Sequence, residues 1–299
     1  MTDTLTAIRT AFADAGVTGR LHARDIDSGA EIDWHGDRLV CTASVHKLPL
    51  LVALHERAAA GDLDLTEQVE CPPAGRSAGP TGLAAMLDAA RLSLRDLAYL
   101  MMSVSDNAAA DLLLERVGLD AVNRTTARLG LTRTLTVHSF GAAMAMVKED
   151  AGPGGARALA DPHVIARLRA LDPERANRST PRELTRLLSA IWQDTACTPE
   201  HGADIRRLMG LQVWPHRLSS GFPFDDVHVA GKTGSLPTLR GEVGVVAYPD
   251  GGRYAVAVFT RTVRTAAILP AADAVIGTAA RIAVDALRAA GNGPGPGRG

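Results

Sequence analysis

The chain has 299 residues, 46% of them hydrophobic and 22% charged, and its 32 basic and 33 acidic side chains leave a formal charge of −1. That balance gives no global field for nucleic acid or an anionic membrane, and 3 Trp, 3 Tyr and 5 Phe are too few for base-stacking platforms. No apolar run approaches the roughly 20 residues of a membrane helix, so a globular protein with a sizeable core, in one large domain or two smaller ones, is expected.

The start, MTDTLTAIRTAFADAGVTGR, has no basic leader and no apolar h-region, because Asp3 and Asp14 interrupt it. As given, the chain reads as cytoplasmic; a true start further upstream would make it secreted. A first hairpin is predicted within Leu21 to Trp34, turning at Asp27-Ser28-Gly29. The apolar run LPLLVAL after Lys47 reads as a helix. Ser93-Leu94-Arg95-Asp96 opens another with an N-cap and an acidic third position, and Thr180-Pro181-Arg182-Glu183 supplies a capping box with Pro at the first helical position. Near the other end, EVGVVAY, Pro249-Asp250-Gly251-Gly252 and RYAVAVFTR form the stronger hairpin signal, and Ala271 to Ala290 makes a good terminal helix. Residues 291–299, GNGPGPGRG, read as a disordered tail.

Strands near both termini with helices between them predict an α+β fold. An antiparallel sheet is built from the two chain ends and flanked by helices, with a mostly helical lobe inserted. The expected division is a sheet lobe from residues 1–40 and 225–290 and an all-α lobe from 41–224.

Cys41, Cys71 and Cys197 are widely spaced, with no C-x-x-C, which fits a reducing compartment. Among nine histidines no H-E-x-x-H occurs, since His55-Glu56 is followed by Arg57, Ala58 and Ala59. No metal or organic cofactor is implied.

Only three lysines, Lys47, Lys148 and Lys232, stand against 29 arginines. Where solvated cations are nearly all Arg, a Lys invites a chemical reason: near a second cation and out of water it can lose its proton, whereas Arg does not. Lys47 follows Ser44 by three residues, placing both on one helix face about a turn apart; Pro49 removes a regular bond back to residue 45, which distorts that turn. Taken alone, Ser44 reads more simply as an N-cap and Lys47 as a solvated charge. Ser105-Asp106-Asn107 joins two helical segments and is equally a set of capping residues. Lys232-Thr233-Gly234-Ser235 follows strand-like Val227-His228-Val229-Ala230, where an ordinary strand and turn has about even odds. Composition predicts about 0.12 chance S-x-x-K matches, about 0.01 for S-D-N and about 0.02 for K-T-G, so their joint occurrence by accident is on the order of a few in 100,000.

With these three motifs in this order the chain resembles the class A β-lactamases and the related penicillin-binding serine acyl-enzymes. Similar too are the 61 residues separating Ser44 from Ser105, the context TASVHKLPLLVALHERAAAGDLDL, the capped segment RSTPRELTRLL and the closing strand YAVAVFTR. The resemblance covers roughly residues 15 to 290. It implies Ser44 as the acylated nucleophile and Lys47 as its general base or proton relay. Ser105 passes the proton to the leaving nitrogen, and Lys232 keeps the site positive and holds Ser105. It further implies Asn107 binding a substrate amide, Thr233 a substrate carboxylate, and the backbone N–H groups of Ser44 and Ser235 forming an oxyanion hole beside Gly234. Arg240 falls near an arginine that some members set against the substrate carboxylate.

The resemblance fails at one motif. Class A β-lactamases carry a glutamate in an Ω-loop E-x-x-L-N that activates the deacylating water, and this chain has none. Aligning from Leu129-Gly130-Leu131-Thr132 brings Val137-His138-Ser139-Phe140 to that place. His138, Glu149 and Glu174 are the candidate substitutes; the two glutamates read more simply as solvated loop charges, and a lone loop histidine is more often a surface or packing residue. The Ser105 to Lys232 interval of 127 residues is long for the family, so extra chain around Lys148 to Ala160 reshapes this wall.

Acylation is therefore expected more firmly than turnover, because a positioned base for water is typically worth 10² to 10⁴-fold. The leading expectation is a β-lactamase-like serine hydrolase acting on a small-molecule β-lactam or related ester or amide. A cytosolic esterase, amidase or acyltransferase on a small metabolite, and a noncatalytic penicillin-binding-type sensor module, are the alternatives. No nucleic-acid or membrane partner is expected, and a monomer is favoured.

Overall fold

The computed structural model describes residues 2–266 and 268–291. Its strands are β1 (Thr18–Asp25), β2 (Glu31–Trp34), β3 (Val40–Cys41), β4 (Gln68–Cys71), β5 (Ala90–Ser93), β6 (Arg178–Ser179), β7 (His228–Leu236), β8 (Leu239–Ala247) and β9 (Arg253–Arg261). The helices are α1 (Thr2–Asp14), α2 (Lys47–Ala59), α3 (Leu94–Ser103), α4 (Asn107–Val117), α5 (Leu119–Arg128), α6 (Phe140–Ala151), α7 (Gly155–Ala158), α8 (Pro162–Ile165), α9 (Pro181–Trp192), α10 (Pro199–Gly210) and α11 (Pro270–Gly291).

The main sheet has the order β2-β1-β9-β8-β7, every pair antiparallel, so both chain ends build it. Strand β9 shows why it needs cover on two faces. Tyr254, Val256 and Val258 pack with Ile8, Phe12, Ile276 and Ala280 of the terminal helices, while Ala255, Ala257 and Phe259 join the larger core of the helical segment. That period of two is the pleat itself. Helix α9, although it belongs to the intervening segment, packs on β1, β8 and β9.

The two predicted N-caps form: Ser93 accepts from the Asp96 N–H and Thr180 from the Glu183 N–H. The reciprocal half of the second capping box does not, because the Glu183 carboxylate is drawn to the Arg133 N–H and the Thr134 hydroxyl. In the first hairpin, Asp25 accepts from the Asp27 and Ser28 N–H groups, and Gly29 turns the chain at φ +78°. The expected disordered tail lies outside the described residues except for Gly291, which closes α11. Among the described residues no helix is long and apolar enough to cross a membrane.

Candidate active site

Ser44 lies in a 3₁₀ turn, Ala43–His46, that runs directly into α2. Proline at position 49 has no N–H to return to residue 45, and the chain there takes the tighter helix. This turn packs against edge strand β7 at Gly234, where a Cβ would stand 2.7 Å from the Thr42 carbonyl oxygen and 3.1 Å from the Val45 nitrogen. Glycine is what lets the strand and the serine turn approach.

Ser105 reaches the same place from the α3–α4 junction, in the left-handed region at φ +61°. Asp106 holds it there. Its buried carboxylate caps α4 through the Ala108 and Ala109 N–H groups, and it also accepts from the Leu83 N–H of the neighbouring loop. Five residues on, Asp111 accepts from the Phe140 and Gly141 N–H groups, each at 2.7 Å, which ties the start of α6 to α4.

Lys47 and Lys232 are both fully buried, and Ser105 Oγ stands between them, 3.3 Å from Lys47 Nζ and 3.0 Å from Lys232 Nζ. Lys47 also donates to the Ser105 carbonyl at 2.6 Å and to Asn107 Oδ1 at 2.8 Å. Those three contacts match its three donors, and Ser44, which the sequence places on the same helix face, is not among the partners. Burial first, and then the charge of Lys232, hold the Lys47 pKa well below the ordinary lysine value; Asp106 and Asp111 act more weakly the other way. As a neutral amine Lys47 keeps two hydrogens for the two carbonyl oxygens, which only accept, and a lone pair for a hydroxyl. Burial also lowers Lys232, to about 7, with Glu242 opposing and Arg217 assisting.

Two cavities meet at Ser44, and Ser235 and Asn107 line both. The larger, about 360 Å³, is a cleft walled by Ser105, Thr233 and Gly234 on one side and Trp214, His216 and Arg217 on another. The smaller, about 130 Å³, is walled by Cys41, His138, Phe140, Met144 and Asn177. Among the described residues no Asp or Glu lines it.

Of the residues expected at the site, Ser44, Lys47, Ser105, Asn107, Lys232, Thr233, Gly234, Ser235 and His138 come together. The Asn107 amide is already engaged, Nδ2 donating to the Ala78 carbonyl at 2.9 Å. Arg240 does not line either cavity: its guanidinium donates to the Leu236 and Leu239 carbonyls and sits 3.5 Å from Asp273. The arginine on the cleft wall is Arg217, which the sequence did not single out. It pairs with Asp273 at 2.7 Å and donates to Ser235 Oγ and to the Gly234 and Gly241 carbonyls. Glu149 and Glu174 are corrected as well. Both carboxylates are largely exposed and face Arg169 and Arg178, because α6 and the loop before β6 turn those positions outward. Sequence reasoning also missed Gln212, whose side chain accepts from the Thr233 N–H and donates to buried Glu242, fixing the K-T-G strand from behind.

A family model described as the beta-lactamase enzyme family matches residues 3–287. The beta-lactamase regulatory protein BlaB of Streptomyces cacaoi is 37% identical over 305 residues, covering 95% of this chain and 97% of its own. Among solved structures, a beta-lactamase from Sphaerobacter thermophilus is 28% identical with a TM-score of 0.77, covering 97% of this chain and 98% of its own. PBP-A superimposes with a TM-score of 0.78 over 97% of each chain at 22% identity, a likeness of fold alone.

Proposed function

The chain belongs to the beta-lactamase enzyme family, and from that premise we propose that it is a serine acyl-enzyme that opens a β-lactam amide or a related ester or amide on Ser44 and releases the acyl group slowly. The observation that carries this reading is the Ser105 hydroxyl shared by two buried lysines at the edge of a cleft that Ser44 also lines. Ser44 Oγ attacks the carbonyl carbon and gives its proton to neutral Lys47. The carbonyl oxygen becomes an oxyanion facing the Ser44 and Ser235 N–H groups, a contact worth roughly 2.7–4 kcal/mol per donor in the transition state. The carbon–nitrogen bond then breaks, and the proton passes from Lys47 through Ser105 Oγ to the leaving nitrogen. Arg217 gives the cleft wall a cation and Thr233 a hydroxyl donor, with Lys232 buried behind them, a set that suits a carboxylate-bearing substrate. Slow release follows from the second cavity, where water would have to attack the ester without a carboxylate beside it.

Intact-protein mass spectrometry with benzylpenicillin tests the reading. An adduct of one penicillin per chain is expected, absent in Ser44→Ala; an adduct that persists in that variant, or none in the native protein, overturns it. A sensor role is the second reading, favoured by the regulatory name of the 37% identical relative and by the carboxylate-free cavity. It predicts that the native adduct outlasts hours of incubation, whereas a hydrolase returns to the free mass with opened penicillin in solution.

A further inference from the structure

We infer that His138 is the base that activates water for release of the acyl group from Ser44, from the side of the smaller cavity. The inference rests on the acyl-enzyme reading above and adds to it the group that ends the cycle.

The cavity has room for water, and among the described residues two of its lining side chains can titrate, Cys41 and His138. Burial pushes the Cys41 thiol up to about 12, which leaves it a poor base. The His138 ring is oriented by its hydrogen bonds. Nδ1 stands 3.2 Å from the Ser139 carbonyl oxygen, which only accepts, so Nδ1 carries the hydrogen. Nε2 therefore holds the lone pair; among the described residues it has no hydrogen-bond partner, and it lies just out of reach of solvent, so a small turn of the ring that brings it to cavity water breaks no bond of its own. An unpaired acceptor of this kind is costly in a folded protein unless water or a ligand meets it. Burial also holds the ring pKa below the ordinary histidine value, with the Ser139 carbonyl and, more weakly, Asp111 opposing, so the imidazole is neutral at physiological pH. Buried His46 nearby bonds Thr136 through Nε2 and does not line the cavity.

One residue fixes His138 relative to Ser44. The Asn177 side chain accepts from the Val137 and His138 N–H groups at 2.8 and 3.2 Å and donates to the His138 carbonyl at 3.0 Å. The Asn177 backbone carbonyl accepts from both the N–H and the hydroxyl of Thr42, two residues before Ser44, each at 2.9 Å. The base and the nucleophile are thus pinned to the same side chain and its own backbone.

In the step proposed, water adds to the ester carbonyl as its proton moves to His138 Nε2. The bond from carbon to Ser44 Oγ then breaks, Oγ takes that proton back, and the carboxylic acid leaves. The test is the decay of the benzylpenicillin adduct after free drug is removed, followed by intact mass from pH 5 to 9. The native rate should rise with pH through one ionisation below about 6.5, the ordinary histidine value, and then level off. His138→Gln should slow decay about 10²-fold, affect acylation far less, and lose that ionisation. Decay in His138→Gln at the native rate and with the native pH profile overturns the inference while leaving Ser44 acylation standing. So does a native adduct that does not decay within a day. Should the variant fail to fold, the native profile still decides, since a rate with no ionisation in that window overturns it. Failure to form any adduct overturns both the inference and the reading beneath it.

Discussion

Lys47 Nζ lies 4.5 Å from the centre of the Phe140 ring, so the side chain that α6 sets against this amine is an aromatic face. The ring carries no formal charge to oppose the burial and the Lys232 charge that lower the Lys47 pKa. A carboxylate at that position would favour the ammonium instead, by one to three pK units for an opposite charge within about 4–6 Å. Phe140→Glu is therefore expected to move the acid limb of the acylation rate to higher pH by one unit or more. Stopped-flow acylation with a chromogenic cephalosporin between pH 5 and 10 measures it. An unmoved limb would mean that Lys47 is not the group whose ionisation governs attack.

Lys47→Arg separates charge from basicity. The guanidinium stays protonated in proteins, and Lys47 is the amine that meets Ser105 and Asn107 at hydrogen-bonding distance. Loss of general-base help should lower acylation by about 10² to 10⁴-fold. Lys47→Arg acylating within a few-fold of the native chain would remove residue 47 from the proton path.

How far the sequence carried this site depends on the kind of signal each residue leaves. Ser93, Thr180 and the two hairpins were legible because a cap or a turn is specified within four residues. The three motifs were legible because each is contiguous. Arg217 and Gln212 were not: both lie in the segment between α10 and β7, and their partners are a strand edge and Asp273 on α11. Nothing local marks such a long-range pairing. Glu242 opens the strand-like EVGVVAY with nothing to mark it, yet it is buried, accepting from Gln212 and from the Leu218 N–H. The alignment brought residues 137–140 to the place of the missing glutamate. Which of them would face Lys47 and which the cavity depended on Asp111 and Asn177, residues whose roles appear only once the chain is folded.

Lys232 makes stability depend on pH. In the unfolded chain its amine holds a proton up to about pH 10.4; in the fold it gives it up near 7. Between those values the unfolded state binds more protons, so the lysine's contribution to stability rises with pH across the window and is least favourable below it. Lys232→Met carries no such proton. The native stability minus that of the variant, from urea unfolding, should climb between pH 7 and 10 by on the order of a few kcal/mol, the limit being about 1.4 kcal/mol per unit. A flat difference would show that the amine stays charged in the fold.

Arg217 and Asp273 are largely buried and paired at 2.7 Å, and this contact joins the cleft wall to helix α11. Arg217→Ala leaves the carboxylate with Arg240, 3.5 Å away, and removes the guanidinium donor from the Gly234 and Gly241 carbonyls and Ser235 Oγ. Breaking one side of a buried pair costs about 3–5 kcal/mol; the remaining arginine places this case at the lower end. Asp273→Ala should be similar, leaving two guanidinium groups close together without their shared anion. The double variant should lose less than the sum of the two, with a coupling of about 0.5–3 kcal/mol, measurable by urea unfolding of the four proteins. Benzylpenicillin acylation should fall at least tenfold in Arg217→Ala, because the β7 edge loses its anchor and the cleft a positive charge. Strictly additive losses, with acylation intact, would make Arg217 a surface charge in effect and return the search for the carboxylate-binding cation to Arg240.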